Sequence, residues 1–307
     1  MKYKFTVFTP CYKSEKLIER VFYYLQEQSF KDFEWIVLDD NSPDSTVSII
    51  EKLIPQANFP IKFIKNEKNL MVNKNQQIAL EQADGELFVK LSHDDYIPKD
   101  GLQNFYEVWQ SLTEKQRKEL YGITLHCCDI NGKMEGTEFP FSPWIADDYQ
   151  MRFQYKVKGE KCSAQRTELM KEFPFHHPTV DTYVPADLHF FTMNDRYKSV
   201  YANKVGVAHI VGEEKHVYLE KQIGRGQKYT KGISYWYENM TNELGHKIWK
   251  YSKFHYLLFF INFIRYSRYN KQTYSEIYQK IRFRRWLFLP CFFIAQLVEI
   301  VKYRTFL

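Results

Sequence analysis

The sequence predicts an α/β fold, a mostly parallel sheet flanked by helices, with a helical C-terminal extension. Two observations predict it. Over the first hundred residues, short apolar runs alternate with amphipathic stretches, the pattern of parallel strands joined by crossover helices. Beyond Gly224-Arg225-Gly226 the strand signals stop and only helical spacing remains. At 307 residues and 44% apolar content the chain has room for one large domain or two modest ones. Its 12 Gly and 11 Pro are too few for a disordered or collagenous protein.

Residues 4–9 read as a buried strand stopped by Pro10. Residues 14–28 have helical spacing, with Leu17, Ile18, Val21, Phe22 and Leu25 on one face. Residues 34–38 form the second strand, and the polar run 39–46 is a turn feeding a helix over 46–53. A third strand covers 61–64, a helix 75–83 closes at Gly85, and a fourth strand, 86–91, runs directly into Ser92-His93-Asp94-Asp95. After residue 100 the pattern loosens. A helix at 102–111, a strand at 122–129 and a turn at Asn131-Gly132 lead into loop-rich sequence with Pro140, Pro143, Pro174, Pro178 and Pro185.

The net charge of +6, from 43 basic against 37 acidic residues, is too balanced for a chain that coats nucleic acid. It is also unevenly spread. Residues 253–307 hold ten Lys/Arg against Glu276 and Glu299, a balance of +8, which leaves the rest near −2. Phe, Tyr and Trp fill 16 of those 55 positions. Basic plus aromatic is a surface-seeking composition, so this tail is expected to lie on an anionic membrane surface. The bland alternative is packing on the rest of the protein or in a homodimer. No window reaches the ~18 consecutive apolar residues of a spanning helix, and the N-terminus lacks the apolar core of a signal peptide. Five cysteines, an odd number without C-x-x-C spacing, fit buried residues in a reducing compartment. The expected location is cytoplasmic, on the inner face of the plasma membrane.

In open parallel sheets, ligands bind beyond the carboxyl ends of the strands. Three polar clusters stand at such ends: Thr9-Pro10-Cys11-Tyr12, Asp39-Asp40-Asn41-Ser42 and Ser92-His93-Asp94-Asp95. Adjacent carboxylates past a buried strand repel one another, a cost that a divalent cation removes, and hard oxygen ligands suit Mg2+ or Mn2+ clamping a diphosphate. The competing reading is a solvated turn at Asp94-Asp95 and helix capping by Asp39 and Asp40. His93, His176, His177, His209 and His216 show no paired spacing, and a lone histidine is more often a satisfied structural residue.

Together with Ala83-Asp-Gly-Glu86, these clusters fall in an order and spacing that resembles family 2 glycosyltransferases of the GT-A fold. The resemblance is strong over residues 4–110 and extends weakly to about 225 through Gly159-Glu-Lys-Cys162, Arg166-Thr-Glu168, Lys171-Glu-Phe-Pro-Phe175 and Asp181-Thr-Tyr-Val-Pro185, which look like a bacterial subgroup. It implies a glycosyltransferase domain over 1–225, with a nucleotide-binding half at 1–100 and an acceptor half at 101–225; the composition of the tail marks 226–307 as a helical, membrane-associating region. It implies that Thr9 and Pro10 line the nucleotide pocket beside Tyr12, and that Asp39, followed by Asp40 and Asn41, meets the base. A carboxylate suits the imide N–H of uracil, hence a UDP-sugar donor. Ser92, His93 and Asp94 would bind the nucleotide-sugar, with Asp94 and Asp95 as ligands of Mn2+ or Mg2+. Ser92 replaces the family's usual first acid, which removes one anionic ligand. Lys74, expected in a loop before its helix, would reach base or diphosphate, or stand solvated. The catalytic base would be Asp181 or Asp187, with Asp181 favoured by the motif match, and each has a helix-capping alternative. The acceptor would be a glycan or lipid-linked glycan of lipopolysaccharide or capsule. Two rivals are an inactive GT-A scaffold, suggested by Ser92 and Ala186, and a sugar nucleotidyltransferase, which would want a Gly-rich loop where Pro10-Cys-Tyr-Lys13 stands.

Overall fold

The computed structural model describes residues 1–173, 183–209 and 227–304. The chain divides into two compact units: Met1–Met151, Tyr155–His176 and Met193–Gly212 form the first, and Arg152–Gln154, His177–Thr192 and Glu213–Leu307 the second. The division expected at residue 225 leaves 177–192 with the first part, whereas the compact units put it with the second.

The first unit is built on one eight-stranded sheet in the order β3-β2-β1-β4-β7-β5-β8-β6. Strands β1 (Tyr3–Cys11), β2 (Phe33–Asp39), β3 (Ile61–Lys65) and β4 (Gly85–Lys90) are parallel neighbours, linked by helices α1 (Ile18–Gln26), α2 (Thr46–Leu53) and α3 (Met71–Gln82). This is the alternation read from the sequence. Strand β2 is buried along its whole length, as a strand covered on both faces must be. Helices α4 (Gly101–Gln110) and α5 (Glu114–Lys118) then lead to β5 (Leu120–Cys128). Three strands that the sequence reading did not separate from loop complete the sheet. They are β6 (Trp144–Ala146), β7 (Lys161–Arg166), followed by α6 (Thr167–Glu172), and β8 (Lys198–Ala208). Strand β7 runs antiparallel to both β4 and β5, while β8 is parallel to β5.

Gly85 shows why the A-D-G-E segment has its composition. A Cβ there would lie 2.2 Å from the Thr6 backbone nitrogen, so only glycine lets β4 begin against β1. The following Glu86 accepts from Lys4 and from the Trp109 indole. It is a structural acid at the end of the sheet away from the strand termini that bear the polar clusters. All five cysteines are buried and free, and burial pushes the Cys11 thiol far above its usual range. It therefore packs rather than reacts.

Beyond the middle of the sheet, the buried Asp148 accepts from Tyr121 Oη at 2.6 Å, Tyr201 Oη at 2.7 Å and Asn194 Nδ2 at 2.5 Å. Burial raises its pKa against the pull of those three donors. Removing the carboxyl takes away the shared acceptor of two buried tyrosine hydroxyls and the Asn194 amide. Asp148→Ala is accordingly expected to destabilise the fold by about 3 kcal/mol or more, read as a lower denaturant midpoint at unchanged slope.

The second unit contains α7 (Asp187–Met193), α8 (Gln227–Thr241), α9 (Gly245–Tyr251), α10 (Lys253–Tyr269), α11 (Tyr274–Lys280) and α12 (Phe288–Arg304). Its core is aromatic: Trp236 meets Phe259 edge-on at 5.4 Å, and Tyr237 stacks on Tyr266 at 5.3 Å. Thr273 and Glu276 form a capping box that starts α11. Among the described residues, no helix is long and apolar enough to cross a membrane.

Candidate functional site

The three polar clusters meet. Cys11 pairs with Asp39 in the β1–β2 register, and Asp40 donates its N–H to the Cys11 carbonyl at 2.8 Å. Leu91 donates to the Phe8 carbonyl, and the His93 ring contacts the Pro10 carbonyl at 3.1 Å. The Ser92–Asp95 loop thereby leaves β4 against the end of β1. Arg20 of α1 donates to the Asp94 carbonyl at 2.8 Å, and the Asp95 N–H turns back to the Ser92 carbonyl. The backbone that carries Ser92, Asp94 and Asp95 is thus held from two sides.

The individual side chains divide into those turned to the crevice and those spent on the scaffold. Asp39 is 2% exposed. Its Oδ2 accepts from the Ser42 N–H at 3.0 Å, while its Oδ1 is buried with no hydrogen-bond partner. A buried acceptor without a donor is costly, and an incoming N–H would satisfy it. Asp40 differs, because it is spent on the fold. Its Oδ1 accepts from Asn66 Nδ2 and from Leu70 N, and its Oδ2 from Met71 N at 2.9 Å. That carboxylate pins the start of α3, where Met71 takes a left-handed φ of 65°. Both Asp40 oxygens are thus engaged by the scaffold. One expectation is corrected: α3 begins at Met71 rather than 75, so that Lys74 lies half-buried in its first turn instead of a loop. The expected caps for α2 are also displaced, since Asp44 accepts from Thr46 N.

Thr9 is fully buried and its hydroxyl accepts from the Trp35 indole at 3.0 Å. Its side chain is packed in the core rather than lining an open pocket. Pro10 is half-buried, Asn41 is exposed with φ 60°, and Tyr12 is 42% exposed under the Lys13 ammonium. Ser92, His93 and Asp94 are half-buried, and Asp95 is buried.

The residue that sequence reasoning set aside is His209. Tyr96 and Ala208 exchange backbone hydrogen bonds, which ties the loop after β4 to the end of β8 and brings His209 beside Asp95. Its Nε2 lies 3.9 Å from Asp95 Oδ2 and 3.2 Å from Glu160 Oε2, and its Nδ1 is 2.9 Å from Glu135 Oε2. Two glycines make this approach possible. Gly136 and Gly159 have φ of 80° and 85°, and a Cβ on Gly136 would fall 2.1 Å from the Lys158 carbonyl. With β7 and β8 unread, no spacing in the sequence joined Glu135, Glu160 and His209.

Burial alone would depress the His209 pKa, but the Cys127 sulfur, Asp95 and Glu135 raise it to about 10. A histidine whose folded pKa exceeds its unfolded value stabilises the fold fully below the unfolded pKa, about 6.5, and the contribution is lost as pH rises through about 10. The melting temperature of the wild type should therefore fall more between pH 6 and pH 10 than that of His209→Gln. Parallel pH profiles would refute the assignment.

Asp95, Asp94, Glu135, Glu160 and His209 supply oxygen and imidazole donors, and the last three bring ligand atoms within 4.8 Å of one another. Such a set fits a hard divalent cation, with the imidazole giving up its proton on binding. In the second unit, Asp187 opens α7. Its Oδ1 accepts from the Trp236 indole at 2.7 Å and its Oδ2 from Arg152 at 2.6 Å. Asp181, His176, His177 and His216 lie outside the described residues.

Residues 6–116 match the model of glycosyl transferase family 2. A poly(ribitol-phosphate) beta-N-acetylglucosaminyltransferase, TarS, of Staphylococcus aureus is 36% identical over 103 residues, 33% of this chain and 18% of that protein. A GalNAc(5)-diNAcBac-PP-undecaprenol beta-1,3-glucosyltransferase of Campylobacter jejuni is 32% identical over 104 residues, 34% of each chain. The matched stretch thus spans well under half of these curated relatives. The crystal structure of S. aureus TarS 1–349 in complex with UDP-GlcNAc superposes with a TM-score of 0.57 at 21% identity, covering 95% of this chain and 79% of that one. That likeness carries the fold beyond the matched segment. Asp39, Asp94 and Asp95 all lie inside the segment 6–116 that matches glycosyl transferase family 2, and the chain carries the GT-A fold.

Proposed function

We propose that the protein is an inverting glycosyltransferase that moves a sugar from a UDP-sugar to a glycan acceptor, in the building of a bacterial cell-surface polysaccharide. The observation that carries this reading is the pairing, at one crevice of the parallel sheet, of a buried and unpartnered Asp39 Oδ1 with the acidic loop at Asp94-Asp95. The first suits the imide N–H of uracil. The second suits the cation that a diphosphate leaving group requires. The named relatives act as sugar transferases, one on poly(ribitol phosphate) and one on an undecaprenol-linked glycan, which supports the same class of acceptor here.

In this reading Asp39 accepts from the base, Pro10 and Tyr12 border the nucleoside, and Asp40 keeps the 66–71 loop in place without touching the ligand. Asp94, Asp95 and His209 would hold Mn2+ or Mg2+, which supplies charge neutralisation for the departing diphosphate. Ser92 contributes a neutral hydroxyl where an acid is usual, so His209 and Asp95 carry more of the cation's coordination. The acceptor hydroxyl loses its proton to a carboxylate as it attacks the anomeric carbon, and Asp187 is the candidate with a defined orientation.

A nucleotidyltransferase is disfavoured because β1 runs as strand to Cys11, with no glycine loop to cradle phosphates. Incubation of the full chain with a panel of UDP- and GDP-sugars, with and without Mn2+, reads the proposal through nucleotide release. Release from a UDP-sugar that rises with a glycan acceptor is expected. Absence of release from every donor, with UDP still bound, would instead make the protein a scaffold.

A further inference from the structure

We propose that the outward face of α12 is a lipid-docking surface that lays this helix in the interfacial plane of an anionic bilayer. One side of α12 is accounted for within its own unit: Cys291 and Ala295 are buried, and Glu299 turns inward to Arg265 at 2.6 Å and to Tyr269 at 2.7 Å. The other side is apolar and open. Leu289, Phe293 and Leu297, spaced four apart, are 64%, 62% and 61% exposed, with Ile294 and Ile300 beside them at 45% and 50%. Trp286, just before the helix, is 67% exposed. A helix on a water-facing surface carries polar residues on its outer side, and one that is apolar all round is ordinarily covered.

Charge decides what covers it. Residues 245–301 contain ten Lys/Arg against Glu276 and Glu299. Glu299, the acid of α12, is neutralised inward by Arg265, so the open face presents no negative charge. Immediately before it stand Arg282 and Arg285, both exposed, Arg282 sharing its charge with the exposed Glu243 at 2.6 Å and Arg285 over the Tyr278 ring at 5.0 Å. An anionic headgroup layer is the complement of that surface, with guanidinium groups on phosphate, Trp286 at headgroup depth and the leucine-phenylalanine stripe at the acyl boundary. A second copy of the chain would bring the same positive charge instead of its complement. The 17 residues of α12 are too few and interrupted by Pro290 and Glu299, so the geometry is interfacial and not spanning.

The proposal does not depend on the transfer reaction, and its test reads no sugar chemistry. The full chain is sedimented with vesicles of phosphatidylcholine alone and with vesicles containing about one-third phosphatidylglycerol. Binding to the anionic vesicles, lost in high salt, is expected, with Phe293→Glu/Leu297→Glu abolishing it while leaving UDP binding unchanged. Arg282→Gln and Arg285→Gln should each weaken it about fivefold, the equivalent of about 1 kcal/mol per basic residue. No sedimentation with anionic vesicles, or equal sedimentation of the double glutamate variant, would overturn the proposal. So would a dimer in light scattering that the same two glutamates dissolve, because that outcome gives the face to a second copy.

Discussion

Asp94→Asn is expected to abolish Mn2+-dependent UDP binding in calorimetry while leaving the melting temperature nearly unchanged. The fold tolerates the change because the loop is held through its backbone. Arg20 takes the Asp94 carbonyl, the His93 ring meets the Pro10 carbonyl, and Asp95 N–H closes on Ser92. An amide in place of the carboxylate alters charge and not shape. The effect on binding is large because the coordination set is already one anion short at Ser92, and a hard cation is held by the number and charge of its oxygen ligands. UDP binding without added metal should persist at reduced strength in both proteins through Asp39. Undiminished Mn2+-dependent binding would move the cation to Glu135, Glu160 and His209, and His209→Gln would then be the variant that loses it.

The part of the site that was legible in the sequence is the part made of contiguous segments at strand ends. Each of Thr9-Pro10, Asp39-Asp40 and Asp94-Asp95 follows an apolar run that could only be a covered strand, and a parallel sheet brings such ends together. Spacing could not tell which carboxylate of a pair is free. Asp39 and Asp40 are neighbours of the same kind, yet one keeps a bare oxygen and the other is saturated by Asn66, Leu70 and Met71. That difference lies in a loop 26 to 31 residues downstream, whose shape depends on a left-handed Met71 that no propensity favours. His209 was illegible for a related reason. It enters the site through the Tyr96–Ala208 bridge and the Gly136–Gly159 crossing, both long-range contacts. Strand β7, sandwiched antiparallel between β4 and β5, is only six residues long and carries Lys161, Ser163, Gln165 and Arg166. Its alternating apolar residues, Cys162 and Ala164, are small, and no apolar run marks it as an interior strand.

The helical unit bears on the last assignment. Sequence matching favours Asp181 as the base, and Asp181 lies outside the described residues; Asp187 is the candidate within them, and the base proposed above. Its two oxygens are each fixed by one donor, the Trp236 indole and the Arg152 guanidinium, and each oxygen retains a further lone pair for an incoming hydroxyl proton. Its side chain is 27% exposed, so it is reachable. A base oriented by a second group is the arrangement that proton abstraction favours. Asp187→Asn is therefore expected to lower turnover by about 10²–10⁴ with UDP affinity unchanged, while Asp181→Asn stays near wild type. Trp236→Phe removes one of the two orienting donors without touching the carboxylate. It should lower kcat more than it raises KM for the donor, since a misaligned base affects the transition state and not nucleotide binding. A structural Asp187 would give a different signature: transfer by Asp187→Asn would fall only in proportion to the folded fraction, and Asp181→Asn would take the large loss.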